Sequence, residues 1–338
     1  MAKATGTTVL ALDLGGTQVR AAVVDAAGRV LVSRRARTPV EEGGDAIVAV
    51  CIATLEEVRR AHGALAGAAP IVAIGISAPG PVDPVAGIVV DPPNLGPGFH
   101  GAPIVARVQA ALGLPAVLDR DTQVAALAEG AFGAAIGVAD YVYVTVSTGI
   151  GGAIVSGGRL LRGPDRTAGE LGHLLVDRNG PICGCGAPGH LEGIASGSAI
   201  ARAARAAAAD GRSPDLAERI VASGAAFGAR DVAAAEAAGD AAATAIMTDA
   251  RDAFALACVS IVDVFDPDVV IVGGGIAAGQ GDAWLDPARD AVRRLAFRRP
   301  AARARIVPAA LGDDVGLVGA AVLVRERLPG VGFGPPRS

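Results

Sequence analysis

The residues from Val9 to Leu14 form an apolar run broken only by Asp13 and closed by Gly15-Gly16. Such a run predicts a buried strand and then a tight turn. Val19 to Val24 predicts the returning strand, Ala27-Gly28 another turn, and Val30 to Arg35 a third strand. From Asp45 to Arg60 apolar residues recur at helical spacing, and Ile71 to Ile76 predicts a further buried strand. The stretch from Pro79 to Pro103 is crowded with Pro and Gly and predicts a loop or lid. A helix over Ile104 to Leu112, a short strand over Ala116 to Leu118 and a helix over Thr122 to Phe132 complete the first half.

The opening pattern then returns. Tyr141 to Val146 predicts a strand, Gly149 to Gly152 a glycine turn, and Ala153 to Val155 the returning strand, so two halves share one plan. Residues 199–260 are Ala-rich and predict a buried helical layer that stops at Asp266-Pro267. Val269 to Val272 predicts a strand, Gly273-Gly274-Gly275 a turn, and Trp284 to Leu295 and Gly316 to Arg325 two helices. The Pro/Gly tail after Leu328 reads as loose. Strands followed by crossover helices imply an α/β fold with parallel sheet covered on both faces. Two such halves imply a cleft, the usual place for a ligand.

Composition narrows the function. Of 338 residues 51% are hydrophobic but only 3% aromatic, so Ala, Val, Leu and Ile must fill the core. Lys3 is the only lysine, which rules out a Walker A loop with its phosphate-binding lysine. The formal charge of −4 and the lack of a basic run argue against a nucleic-acid partner. No charged-then-apolar leader and no apolar stretch of about 18 residues is present, so neither signal peptide nor membrane span is expected. Few cysteines (Cys51, Cys183, Cys185, Cys258) and no leader point to the reducing cytoplasm.

Three glycine turns carry candidate phosphate chemistry. Asp13-Leu14-Gly15-Gly16-Thr17 sets a carboxylate at a strand end, then glycines that let backbone N–H groups approach phosphate oxygens, then a hydroxyl. The carboxylate can hold hydrated Mg²⁺ through its waters. A plain hairpin turn is the other reading. Ser147-Thr148-Gly149-Ile150-Gly151-Gly152 supplies the same chemistry in the second half, and the recurrence favours phosphate loops over two unrelated turns. Gly273-Gly274-Gly275 lacks the acidic strand end that a dinucleotide fingerprint requires about 20 residues on, and fits a turn beside an adenosine better.

His173, Cys183, Cys185 and His190 have the spacing H-x₉-C-x-C-x₄-H. Two thiols and two imidazoles suit tetrahedral Zn²⁺, and four protein ligands would make it structural. Unrelated buried thiols are the alternative. Glu170 and Glu192 flank the cluster, as sugar-hydroxyl acceptors or as surface charge. Asp121 follows a short strand and opens a helix. It is either an N-cap or a base that takes the proton of an attacking hydroxyl.

Together these segments resemble the ROK (repressor, open reading frame, kinase) family of the sugar kinase, hsp70 and actin-like superfamily. The resemblance runs from Asp13 to about Ala321. It rests on Asp13 to Thr17, Gly75 to Asp83, Pro93-Asn94-Leu95, Arg120 to Glu129, Thr148 to Gly152, Glu170-Leu171-Gly172-His173, and Cys183 to Glu192. It implies two actin-like (ribonuclease H-like) domains with a cleft between them and a zinc-stapled loop at 173–192. We take the domains as 1–121 and 122–315, with the helix near 316–329 packing back on the first. It implies ATP with Mg²⁺ as donor, bound by Asp13, Gly15, Gly16, Thr17, Thr148, Gly149, Gly151 and Gly273 to Gly275. It implies Asp121 as catalytic base, and Asn94, Asp121, Glu170, His173 and Glu192 as sugar contacts, with His173 also a zinc ligand. The expected reaction is glucose to glucose 6-phosphate. Another hexose or an N-acyl hexosamine is the alternative, as is a non-catalytic sugar-responsive regulator. The regulators carry an N-terminal winged helix, for which a first strand near Val9 leaves no room. A cytoplasmic dimer or tetramer is expected.

Three residues depart from the family pattern. His190 replaces a frequent third zinc cysteine, Arg120 the asparagine before the catalytic aspartate, and Gln123 another asparagine. An arginine aimed at Asp121 would weaken it as a base, so Arg120 is expected at the rim of the site.

Overall fold

The computed structural model describes residues 6–92 and 94–333. Lys3, Pro93 of the Pro93-Asn94-Leu95 motif, and residues 334–338 of the tail lie outside the described residues. The chain divides into two units. One holds the chain up to Gly137, Arg162–Thr167 and the chain from Ala310 on; the other holds Val138–Leu161 and Ala168–Ala309.

In the first unit, β1 (Thr8–Leu14), β2 (Gln18–Asp25) and β3 (Val30–Arg37) form an antiparallel meander. After α1 (Gly44–Gly63), β4 (Ile71–Ala78) pairs parallel to β1. A small hairpin, β5 (Val82–Asp83) and β6 (Ile88–Val89), breaks up the Pro/Gly stretch. Then α2 (Ile104–Leu112) leads to β7 (Ala116–Arg120), parallel to β4, and α3 (Asp121–Phe132). The sheet order is β3-β2-β1-β4-β7. It is mixed rather than wholly parallel. The short turns after β1 and β2 allow only antiparallel return, whereas β4 and β7 arrive through helices.

The second unit repeats the plan. β8 (Tyr141–Val146), β9 (Ile150–Ser156) and β10 (Arg159–Leu160) form the meander. The helices α4 (Leu191–Ala195), α5 (Gly197–Ala209), α6 (Pro214–Ser223), α7 (Ala229–Ala237) and α8 (Ala241–Phe265) follow. β11 (Val269–Gly273), α9 (Gly275–Gln280), α10 (Asp282–Leu295), α11 (Arg298–Arg303) and β12 (Arg305–Pro308) complete it. The order β10-β9-β8-β11-β12 matches the first sheet position by position. Gly151 and Gly152 lie inside β9, opposite Thr145 and Val144, so the glycine turn is shorter than expected and spans Ser147 to Gly149.

The last helix, α12 (Val315–Arg327), packs on β1, β4 and α3 of the first unit. Alternation along β1 explains why one strand serves two cores. Leu10, Leu12 and Leu14 enter a cluster with Ile47, Leu55 and Ile104, while Val9 and Ala11 enter another with Leu317, Ala320 and Val324. Because α3 packs against α12, it belongs with the first unit, and the chain leaves that unit after Gly137 rather than after residue 121. The tail is not wholly loose: Phe333 is buried in the α12 cluster, and Thr7 Oγ1 donates to Gly332 O at 2.9 Å. No helix among the described residues is long and apolar enough to cross a membrane.

Candidate active site

On the first unit, β1, β4 and β7 run in parallel register, with Asp13 beside Ser77 and Ser77 beside Asp119. Their C-terminal ends share one sheet edge, where open α/β sheets bind ligands. The first glycine turn is tight. Gly15 N donates to Gln18 O at 2.9 Å, and Thr38 Oγ1 donates to Gly15 O at 2.7 Å. A Cβ on Gly16 would fall 2.7 Å from Asn94 O, so the bare glycine admits the loop that carries Asn94. The structure thus brings Asn94 to the turn of Asp13 to Thr17. Asp13 Oδ2 accepts from Arg20 Nη2 at 2.5 Å, and Arg20 Nη1 donates to Asp313 O at 2.6 Å. Sequence reasoning missed Arg20. The hairpin register, which sets Asp13 opposite Arg20, was the available signal.

Asp121 sits at the corner between β7 and α3. Arg120 occupies the N-cap position, so Asp121 is the first helical residue and not the cap. Its Oδ1 accepts from Thr122 N at 2.7 Å. Asp121 is exposed while Arg120, Thr122 and Gln123 around it are buried. Arg120 is therefore not at a rim. It is 5% exposed, and its Cδ lies 2.6 Å from where a Cβ on Gly80 would stand, beneath the cis Gly80-Pro81 peptide. The arginine is accommodated because position 80 has no side chain. Gln123 is 1% exposed, and neither end of its amide has a hydrogen-bond partner among the described residues.

On the second unit, the turn Ser147 to Gly149 is gripped by the start of α5. Gly197 N donates to Ser147 O at 2.8 Å, and Ser198 Oγ donates to Thr148 O at 2.9 Å. Glu192, at the start of α4, lies on the same turn: its Oε2 accepts from Ile150 N at 2.8 Å. A Cβ on Gly149 would stand 2.7 Å from that oxygen. Gly274, at φ +91°, takes a backbone conformation that other residues resist. A Cβ there would fall 2.3 Å from Val146 O, which sets the Gly273 to Gly275 turn beside the turn of Ser147 to Gly149.

His173, Cys183, Cys185 and His190 each offer a ligand atom, all within 4.8 Å of one another. The two Nδ1 atoms are 3.2 Å apart, and Cys185 Sγ is 3.3 Å from His190 Nδ1. Tetrahedral Zn–N and Zn–S bonds imply ligand separations of about 3.3–3.8 Å, so this donor set fits a four-coordinate metal. Leu175 bridges to His190 and Ile182 to Pro188, folding the segment into a short clasp. Gly189, at φ +71°, passes so close to Asp177 that no side chain would fit. Cys183 Sγ lies 3.8 Å from Glu192 Oε1, which joins the Cys/His cluster to the carboxylate beside the second glycine turn. The exposed Glu170 closes this side: His173 N donates to its carbonyl at 3.1 Å.

The four thiols differ sharply. Burial pushes the Cys51 thiol up to about 12, pushes Cys258 higher still, and raises Cys183. Cys185 is exposed. After chelation, an alkylating reagent at neutral pH should modify Cys185 first and leave Cys51 and Cys258 untouched until the protein unfolds. Peptide mapping checks this; early labelling of Cys258 would contradict it.

Two sheets of one plan, each opening on a glycine turn, with Glu170 and Glu192 beside a Cys/His clasp, match the class of sugar kinases. Within that class the chain belongs to the ROK family, whose sequence profile matches residues 9–327. It is 34% identical over 322 residues to a glucokinase of Thermotoga maritima, covering 95% of this chain and 98% of the relative. It is 33% identical to an N-acetylmannosamine kinase of Escherichia fergusonii, covering 94% and 98%. The crystal structure of a ROK family glucokinase from Streptomyces griseus in complex with glucose and AMPPNP superposes with a TM-score of 0.77 at 32% identity, covering 94% and 99%.

Proposed function

We propose that the protein is an ATP-dependent hexose kinase converting glucose to glucose 6-phosphate, with a structural zinc ion held by His173, Cys183, Cys185 and His190. The observation that carries this reading is Glu192. One oxygen of its carboxylate is fixed by the backbone of the second glycine turn, and the other faces the metal clasp. Sugar recognition and phosphate binding therefore share a support.

In this reading Glu170, His173, Glu192 and Asn94 take the hydroxyls of the sugar. Asp13, Gly15, Gly16 and Thr17 on the first turn, and Thr148, Gly149 and Gly151 on the second, hold the phosphates of ATP. Gly273, Gly274 and Gly275 lie by its nucleoside. Magnesium, held through water by Asp13, would offset phosphate charge. Asp121 accepts the proton of the attacking sugar hydroxyl as the new O–P bond forms and ADP leaves. Four protein ligands would leave a zinc ion no open position, so it would hold His173 in place and steady Glu192 rather than touch phosphate.

Glucose is favoured over an N-acyl sugar in this reading because Arg120 is bulkier than the asparagine it replaces before the base. The likeness to the N-acetylmannosamine kinase supports the second reading. The test is a coupled ADP assay with glucose, mannose, N-acetylglucosamine and N-acetylmannosamine on the parent and on Arg120→Asn. Glucose should give the highest kcat/KM in the parent, and the variant should shift the ratio toward the N-acyl sugars. An N-acyl sugar ahead in the parent overturns the glucose assignment, and no ADP with any hexose overturns the kinase.

A further inference from the structure

We infer that Asp119 and Glu129 are positioning residues, which hold Asp121 in place by gripping the chain where it crosses between its two units. The inference rests on the reading of Asp121 as the base. The chain crosses after Gly137, after Leu161, after Thr167 and after Ala309. Two buried carboxylates, one at the end of β7 and one in the last turn of α3, reach the first-unit ends of three of these crossings.

Glu129, in α3, is fully buried at 0% exposure. Its Oε2 accepts from Ala134 N at 2.7 Å, just before the first crossing. Its Oε1 accepts from Ala310 N and Leu311 N, each at 3.0 Å, immediately after the last crossing. The carboxylate is solvated by backbone N–H groups, and charge-assisted bonds of this kind are strong and directional. A Cβ on Gly133 would fall 2.1 Å from Oε2, so the glycine leaves the carboxylate its seat. Asp119, in β7, is 1% exposed. Its Oδ1 accepts from Arg120 N at 2.9 Å, next to the base itself. Its Oδ2 accepts from Arg162 Nε at 3.1 Å and Nη2 at 2.9 Å, and Arg162 Nη2 also donates to Glu326 Oε1 at 3.0 Å on α12. Arg162 is the first residue after the second crossing.

Asp121 thus lies between two anchors along one strand–helix segment, Asp119 at the end of β7 and Glu129 two turns further along α3. A crossing that slips would shift that strand–helix segment, and misplacement of a reacting group by about 1 Å costs on the order of 10²-fold in rate. Ordinary buried carboxylates would contribute to stability alone; these would also set kcat.

Glu129→Gln keeps the shape but aims an amide N–H₂ at a backbone donor. In the full chain it should lower kcat about 10–100-fold while sugar KM stays within about threefold. Hydrogen exchange should quicken in peptides covering Ala134 and Ala310-Leu311. Asp119→Asn should give the same split in kinetics, with faster exchange around Arg162. Val58→Ala, a cavity in the α1 core away from this corner, calibrates lost stability: it should lower Tm yet leave kcat within about twofold. If Glu129→Gln does not fold, Asp119→Asn and Gly133→Ala, which presses on the same carboxylate, carry the test. Parental kcat in variants whose exchange has quickened would overturn the inference, as would unchanged exchange at the crossings. Failure of the base reading would show separately, as near-parental turnover in Asp121→Asn.

Discussion

Asp121→Asn should lower kcat by roughly 10²–10⁴-fold, the usual contribution of a general base, while glucose affinity changes little. The asparagine keeps the volume of the side chain and the oxygen that accepts from Thr122 N, so the start of α3 should stand. What it loses is the ability to take a proton. The attacking hydroxyl must then shed its proton to water, late and without a positioned acceptor. The sugar contacts assigned to Asn94, Glu170, His173 and Glu192 are untouched, which is why binding and turnover should separate. The coupled ADP assay gives kcat, and calorimetric titration with glucose gives affinity. Near-parental turnover would reduce Asp121 to a carboxylate in the first turn of a helix, where the helix dipole favours negative charge without any catalytic part. Equal loss of turnover and binding would make it a sugar contact rather than a base.

Residues that announce themselves by local pattern were legible in the sequence. The apolar run closed by Gly15-Gly16 gave β1 and its turn, and the return of that pattern at Tyr141 gave the second sheet, because a strand buried on both faces leaves a continuous signature. The H-x₉-C-x-C-x₄-H spacing gave the cluster that the structure gathers within 4.8 Å. Features fixed by tertiary contact were not legible. β12 has only Ile306 and Val307 between Arg305 and Pro308, too short for any period, and exists because β11 offers it a parallel edge. Glu129 reads as an ordinary helix glutamate until Ala310 and Leu311, far along the chain, bring their N–H groups to it. Arg120 reads as a rim residue by its charge, yet Gly80 opens the space that buries it. A propensity argument weighs each residue in its own neighbourhood, and these outcomes depend on a partner from another segment.

Removing the metal should have the other large effect. Zinc binding at sites of this kind is worth on the order of 10 kcal/mol, comparable with the whole folding stability of about 5–15 kcal/mol of an ordinary domain. From Leu174 to Gly189 the chain forms no helix and no strand, only turns and isolated bridges held by bonds such as Val176 N to Gly189 O at 3.0 Å, Cys183 N to Ala187 O at 2.8 Å and Gly189 N to Pro181 O at 2.9 Å. This segment would therefore rely on a bound ion more than the sheets do. Elemental analysis of the purified protein should find about one zinc per chain, the number a single closed four-ligand site takes. Cys183→Ser, or chelation, should lower Tm and raise the KM for sugar well before that for ATP. The reason lies in the connections: His173 is one of the proposed ligands and Cys183 Sγ lies 3.8 Å from Glu192 Oε1, while the turn at Thr148 is also held by Ser198 and Gly197. Because bound thiolates and imidazoles must give up their protons, affinity for the ion should fall as pH falls, and chelators should strip it faster in mild acid. Fully active protein without zinc would overturn the assignment, and a Cys183→Ser variant with parental sugar KM would sever the clasp from the site.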